Sequence, residues 1–137
     1  MKVHHITPIL NVSDLEKSFA WFALWGWEKC WDWRREPGGP ATFGAVGCGQ
    51  VQIFMCRDGQ GGRGRDGGIG DGGPGVWMSV WVDDVDAVYA VCQAAGVEVA
   101  MPPTDEPWGV REMHVRHPDG HIFRVGKGTE EHESNGR

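Results

Sequence analysis

Hydrophobic and polar positions follow the same order in the two halves of the chain. An offset of 70 residues carries Val12 onto Val82 and Gly26 onto Gly96. In each half an apolar strand is followed by an acidic cap, an amphipathic helix of about three turns, a glycine stop and further strand-like runs. A repeat of this kind predicts two βαβββ units in tandem.

The first helix is predicted to begin with a capping box formed by Ser13 and Glu16, and to end at Gly26. The strand before it covers residues 6–12, with Pro8 marking an edge or bulge position. The apolar face of this helix is expected to consist of Leu15, Phe19 and Phe22.

The second helix repeats the pattern, with Asp83 or Asp84 as its cap and Gly96 as its end. Its apolar face is Val85, Val88, Tyr89 and Cys92. Residues 77–82 form the strand before it. The further strands are predicted at 27–33, 41–46 and 51–56 in the first unit and at 98–101, 110–116 and 121–125 in the second.

The two units, residues 3–57 and 76–126, form one domain, because 137 residues suit a single core. The intervening segment, 57–75, contains ten glycines in nineteen residues and is predicted to be a mobile linker. The tail, 127–137, is expected to be disordered. Within the linker, Gly62-x-Gly64-x-x-Gly67 formally matches a dinucleotide fingerprint, but no helix follows it and no acidic residue lies at the ribose position. We therefore predict no cofactor.

Composition excludes several classes of function. The net charge is −6 and the basic residues do not cluster, which disfavours nucleic-acid binding. No apolar run approaches the roughly 18 residues that cross a bilayer, so we expect no membrane association. The start of the chain lacks the apolar core of a secretory signal, which favours a cytoplasmic protein. The four cysteines form no Cys-x-x-Cys pair and are expected to be reduced.

Tryptophan is unusually frequent, with eight residues against a single tyrosine. Such rigid aromatic surface is used either in a core or in a stacking site. The five in or after the first helix are interpreted as core or subunit-interface residues, namely Trp21, Trp25, Trp27, Trp31 and Trp33. By contrast, Trp77 and Trp81 alternate with Met78 and Val80, which favours a cavity-lining position for the two tryptophans.

The repeat carries further motifs: residues 12–18 (Val-Ser-Asp-Leu-Glu-Lys-Ser), 107–112 (Pro-Trp-Gly-Val-Arg-Glu) and 117–120 (His-Pro-Asp-Gly). Together they resemble the glyoxalase, bleomycin-resistance and extradiol dioxygenase superfamily, in its bleomycin-resistance-like branch, over about residues 3–126. The resemblance implies an α+β fold in which two tandem βαβββ modules form U-shaped sheets around a cavity. It also implies a homodimer, commonly one with exchanged arms.

Metal-dependent members of that superfamily hold an ion with four side chains. The resemblance carries these positions onto Thr7, Trp77, Arg124 and Gln52, or onto Phe54 in place of Gln52 if the register shifts by two. Indole and guanidinium groups are not ligands for divalent ions, and a guanidinium repels them. We therefore predict a member without metal and without catalytic residues.

Strand alternation from these positions predicts the concave, ligand-binding surface. It supplies flat apolar rings and polar anchors, a combination that suits a planar ligand with polar edges. Arg124 could instead stack on Trp77 or pair with Glu112, and Trp108 could be a lid or a packing wedge. The predicted ligand-binding residues are Thr7, Gln52, Phe54, Trp77, Ser79, Trp81, Trp108, Glu112, His114, Arg116 and Arg124.

Three functions are compatible with this pattern. The preferred hypothesis is a metal-independent protein that sequesters an aromatic, bleomycin-like antibiotic at a dimer interface. The alternative is a metal-dependent lyase, isomerase or dioxygenase that uses displaced ligands at His5, Glu112 and His114. The third is a regulatory or immunity protein whose tryptophans serve assembly.

Overall fold

The computed structural model describes residues 1–62 and 75–129. The greater part of the predicted linker, the glycine motif after Gly62 and the tail from residue 130 lie outside the described residues. Within the described ranges the chain forms eight strands and two helices.

The first module consists of one helix and a four-stranded sheet, here called the first sheet. The strand order is β1-β4-β3-β2, in which β1 is parallel to β4 and the other pairs are antiparallel. Its elements are β1 (Ile9–Val12), α1 (Leu15–Ala23), β2 (Glu28–Arg34), β3 (Ala41–Cys48) and β4 (Val51–Arg57).

The second module repeats this topology and forms the second sheet, with the order β5-β8-β7-β6. Again the first and last strands, β5 and β8, pair in parallel. The two modules confirm the predicted α+β fold of tandem βαβββ units. The elements are β5 (Trp77–Trp81), α2 (Val85–Ala95), β6 (Val99–Glu106), β7 (Val110–Arg116) and β8 (Ile122–Gly128).

The two helices begin at equivalent aspartates. Asp84 caps α2 by accepting a hydrogen bond from the backbone of Ala87, as predicted. The capping box predicted at Ser13 is wrong, because Asp14 caps α1 by accepting from the backbone of Lys17. α2 ends at Gly96, whose φ of +75° is the left-handed conformation that glycine tolerates best.

Three strand boundaries differ from the predicted ones by three residues or more. β1 starts at Ile9, because pairing with β4 begins at that residue. β6 continues to Glu106 through two prolines, which an edge strand accommodates with shifts of register. β8 continues to Gly128, where it still pairs with Val110 of β7.

A single hydrophobic core joins the two modules. The rings of Trp21 and Phe22 on α1, and of Trp25 just after it, contact Phe123 on β8, with centroids 5.8, 5.6 and 5.5 Å away. Complete burial of a residue such as Phe22 contributes about 1.5–3 kcal/mol. The helix-facing sides of both sheets therefore share this core, and the opposite side of each sheet, here called its open face, points away from it.

The turn between β7 and β8 docks on the first module. The carboxylate of Asp119 accepts hydrogen bonds from the backbone and hydroxyl of Ser13, at 2.9 and 2.8 Å. His117 and His121 flank this turn and are completely buried. Histidines beside a Pro-Asp-Gly turn are more often solvated, but here the first module covers the turn.

Candidate functional site

The open face of the second sheet exposes large aromatic side chains. Trp77 and Trp81 are 65% and 61% exposed, while Met78 and Val80 between them pack against the core. Trp108 lies in the turn between β6 and β7 and is 57% exposed. Alternation along β5 thus places its two tryptophans on the open face, and Trp108 does not act as a packing wedge in the described chain.

A hollow of about 160 Å³, here called the Trp81–Trp108 hollow, opens on this face. It contains five of the predicted ligand-binding residues. Its lining residues are Ser79, Trp81, Trp108, Val110, Glu112, Arg124 and Gly126.

The hollow exists because of Gly126. This residue pairs with Trp81 on one side and with Glu112 on the other, so all three lie on the same face of the sheet. A side chain at position 126 would fill the space between them. Sequence reasoning missed both Gly126 and Val110; the spacing of Gly126, two residues after Arg124 on the same strand, is the signal that could have identified it.

The floor of the hollow is an ion pair. The guanidinium Nε and Nη2 of Arg124 donate to Glu112 Oε2 and Oε1, at 2.8 and 3.0 Å. The Nε2 atom of His114 lies 3.1 Å from the same Oε2. The guanidinium carbon of Arg124 also lies 4.9 Å from the ring centroid of Trp77. Arg124 therefore pairs with Glu112 and stacks on Trp77 at once, the two alternatives to direct ligand contact.

Burial changes the role of Glu112. It is only 2% exposed although it lines the hollow, so ligand contact through Glu112 itself stays a prediction. The hydrogen bonds from Arg124, aided by His114, lower the pKa of Glu112 against the opposing effect of burial. The same pairing raises the pKa of Arg124. Both groups are charged at neutral pH and compensate each other.

The remaining polar residue predicted on β7, Arg116, lies two residues beyond His114. Its Nε is 3.3 Å from a carboxylate oxygen of Glu98, at the start of the β6 edge. Arg116 does not line the Trp81–Trp108 hollow. It remains a predicted ligand contact only for a molecule that extends along β7.

The other predicted residues lie on the first sheet or directly before its first strand. Thr7 and Gln52 line a wide groove of about 1070 Å³ together with His4 and His5. Phe54 belongs to an aromatic cluster with Trp31 and Phe43, with centroids 5.2 and 5.7 Å from its ring. The predicted ligand-binding residues are thus divided between the two open faces of one chain.

Two tryptophans of β2 depart from the core interpretation. Trp31 and Trp33 are 37% and 54% exposed, whereas Trp21, Trp25 and Trp27 are buried as expected. Trp31 contacts the open-face cluster on the first sheet. Packing at a subunit interface remains a prediction for Trp31 and Trp33.

The register of the two sheets decides which residue of β4 is equivalent to Arg124. Ile9 pairs with Phe54 in the first module, and its equivalent, Ser79, pairs with Arg124 in the second. Phe54 is therefore equivalent to Arg124, and Gln52 is not. The four positions thus carry a hydroxyl, a phenyl ring, an indole and a guanidinium, and this set does not fit a divalent ion.

The displaced metal ligands do not come together in one chain. His5 lies in the groove on the first sheet, whereas Glu112 and His114 lie on the second sheet. Among the described residues, no group of three or more histidine, cysteine, aspartate or glutamate side chains is arranged to hold an ion.

The family of this chain is identified from nearly the whole of its sequence. A family model described as the Glyoxalase/Bleomycin resistance protein/Dioxygenase superfamily matches residues 2–125. The chain belongs to this superfamily. No curated protein matches it. Neither helix of the described ranges is long and apolar enough to span a membrane.

Solved structures of other proteins share the fold of this chain. TioX from Micromonospora sp. ML1 is 23% identical with a TM-score of 0.73, and the match covers 92% of this chain and 99% of that chain. A glyoxalase-related enzyme from Clostridium phytofermentans is 19% identical with a TM-score of 0.73, covering 93% and 97%. A bleomycin-binding protein complexed with bleomycin is 16% identical with a TM-score of 0.68, covering 92% and 99%. At these identities the likeness establishes the fold alone.

Proposed function

We propose that this superfamily member binds a planar aromatic molecule, such as a bleomycin-like antibiotic, and sequesters it without a metal ion. The observation that carries the proposal is the Trp81–Trp108 hollow, in which an Arg124–Glu112 pair forms the floor where metal-dependent relatives hold an ion. Sequestration requires tight binding of the ground state, and stacking on an indole contributes about 1–3 kcal/mol for each ring. The bleomycin complex of a protein with the same fold supports this ligand class.

The size of the hollow indicates how much of a ligand one chain can enclose. A cavity of about 150 Å³ accommodates a single benzene ring, and drug-sized ligands need about 300–1,000 Å³. At about 160 Å³ the hollow receives one ring of a larger molecule. The open face of the first sheet offers a second aromatic surface around Trp31 and Phe54.

The two open faces of one chain point away from a shared core and cannot close on the same ligand. We therefore propose a homodimer in which the first sheet of one copy covers the hollow of the other. An isologous pair of this kind forms two equivalent clefts. The proposed location is the cytoplasm.

Fluorescence titration tests the proposal. Metal-free bleomycin and other planar antibiotics are added to the purified protein, and quenching of tryptophan emission is followed. Trp81→Ala should weaken binding by about tenfold or more, because it removes one stacking surface. Val91→Ala is the matched control, since Val91 is an exposed apolar residue of α2 outside the hollow. Absence of quenching by every compound would refute the proposal.

Two further measurements separate the other functions. One tightly bound divalent ion per chain, lost in His114→Ala, would overturn metal independence in favour of an enzyme. A dimer that dissociates in Trp77→Ala and Trp81→Ala, with unchanged response to ligands, would assign these tryptophans to assembly. Elemental analysis and sedimentation velocity measure these two outcomes.

A further inference from the structure

We infer that Glu112 is a positioning residue that sets the charge preference of the hollow, so that it accepts uncharged or cationic planar rings and rejects anionic ones. This inference rests on the proposed function and narrows its ligand class. Its basis is the arrangement of one buried carboxylate beneath the guanidinium of Arg124.

An unpaired arginine at Arg124 would attract anions. Here the carboxylate of Glu112 holds the guanidinium through two hydrogen bonds of 2.8 and 3.0 Å. An anion that reached Arg124 through the hollow would also approach this carboxylate, which is 2% exposed and weakly screened by water. The attraction and the repulsion then largely cancel.

The other groups around the floor do not restore a positive charge. Ser79, Val110 and Gly126 are uncharged, and the carboxylate of Glu106 adds a negative charge that acts on Arg124. His114 lies against Glu112 and not among the residues that line the hollow. Among the described lining residues, the positive charge of Arg124 is therefore matched by Glu112.

The faces of the aromatic rings act in the same direction. Trp81 and Trp108 border the hollow, and the face of an indole attracts cations and repels anions. Arg124 already occupies one such face, at Trp77. A cationic or uncharged ring that stacks on either indole therefore meets a favourable surface, with a neutral pair below.

Three naphthalene probes of the same shape test the inference: the 2-carboxamide, the 2-carboxylate and the 2-methylammonium derivative. Their dissociation constants are measured from the indole N–H resonances of the protein in two-dimensional NMR spectra. The wild type should bind the carboxamide and the ammonium more tightly than the carboxylate. Glu112→Gln should improve the carboxylate relative to the carboxamide by about tenfold, because it leaves a charged hydrogen-bond donor unpaired.

Two variants serve as controls. The double variant Glu112→Gln with Arg124→Met removes both charges and should restore rejection of the carboxylate. Glu98→Gln removes the carboxylate beside Arg116, outside the hollow, and should leave the ratios of the wild type unchanged. If Glu112→Gln does not fold, Arg124→Met carries the test, since the remaining carboxylate should favour the ammonium and weaken the carboxylate further.

The outcomes distinguish this inference from the proposed function. Probes that bind with the same charge ratios in the wild type and in the charge variants would overturn the inference and leave the proposed function standing. Failure of every probe to bind to any of the proteins would overturn both. If Glu112 had a purely structural role, Glu112→Gln would change the affinities for all three probes by the same factor and leave their ratios unchanged.

Discussion

Acidification is expected to destabilise the folded chain through His117 and His121. The backbone N–H groups of Asp119 and Val76 donate to the Nδ1 atoms of these two rings, at 2.9 and 3.1 Å. Each ring therefore carries its proton on Nε2 and donates it across the module junction, to the hydroxyl of Ser18 for His117 and to a backbone carbonyl for His121. A second proton on either ring would face a backbone donor in a site closed to bulk solvent.

The direction and size of the effect follow from the pKa values. Burial, reinforced by the neighbouring His121, lowers the pKa of His117 to about 3, against an opposing contribution from Asp119, and burial also lowers the pKa of His121. The unfolded chain, in which histidine titrates near 6.5, binds more protons than the folded chain below that pH. The contribution of these two neutral histidines to stability is therefore fully present above about pH 7 and decreases as the pH falls. For His117 the loss between pH 7.5 and 5 is about 2 kcal/mol, and His121 adds to it.

Urea unfolding measured at several pH values tests this expectation. Tryptophan fluorescence reports the transition, because the indole of Trp21 packs edge-on against His117 with centroids 4.9 Å apart. His117→Gln cannot take up the proton, so its free energy of unfolding should fall less steeply with acid, by about 1.4 kcal/mol per pH unit between pH 6 and 4. His4→Gln replaces an exposed histidine and should keep the slope of the wild type.

The comparison of slopes makes the test specific. Carboxylates also contribute to acid denaturation, but their contribution is common to the wild type and both variants. Identical slopes for the wild type and His117→Gln would refute the assignment of a buried neutral imidazole at the junction. A lower stability of His117→Gln at pH 7.5 alone would not, since loss of its hydrogen bonds also accounts for that.

Three further outcomes can be measured on the same protein. Asp119→Ala removes two hydrogen bonds to Ser13 and should lower the free energy of unfolding in urea by about 1–2 kcal/mol. Gly44→Ala should lower it by about 1–3 kcal/mol, because a Cβ atom there would lie 2.6 Å from the ring of Phe19 and 3.0 Å from a backbone oxygen; an unchanged midpoint would contradict this packing. A thiol reagent at pH 8 should modify three cysteines rapidly and Cys92 only on unfolding, since burial excludes the reagent and raises the pKa of this thiol to about 11.

Local patterns accounted for much of the fold. The apolar faces of both helices, the cap at Asp84 and the end of α2 at Gly96 were predicted correctly because each depends on residues within one or two turns. Likewise, the alternation of Trp77 and Trp81 with core residues followed from the two-residue period of a strand.

Contacts between distant residues account for the errors. Ser13 is a residue type that commonly caps helices, but its hydroxyl donates a hydrogen bond to Asp119, 106 residues away in the sequence. His117 and His121 flank a turn that would be solvated in an isolated module and is buried only because the other module covers it. The two prolines of β6 concealed the continuation of this strand to Glu106, because pairing with β7 is interrupted there.

The candidate site likewise combines features that local patterns predict with features that depend on contacts between distant residues. Alternation placed Arg124 and Glu112 on the open face and left their pairing as one alternative to ligand contact, but it did not show that two hydrogen bonds donated by Arg124 remove Glu112 from contact with solvent. That pairing depends on the cross-strand offset between β7 and β8, which one sequence does not specify. A glycine that leaves room in a site is harder still to predict, because Gly126 has no side chain whose chemistry would indicate a role.

The depth of the hollow depends on a single residue, Gly126. The backbone at Gly126 does not require the left-handed conformation, and the nearest obstacle to a Cβ atom there is a methyl group of Val110 at 3.2 Å. Replacing Gly126 by alanine, valine or leucine would therefore reduce the depth available beside Trp81 in steps, as the new side chain becomes larger. One substitution at this position would change the size of the ring that fits the hollow, without altering a tryptophan or a charge.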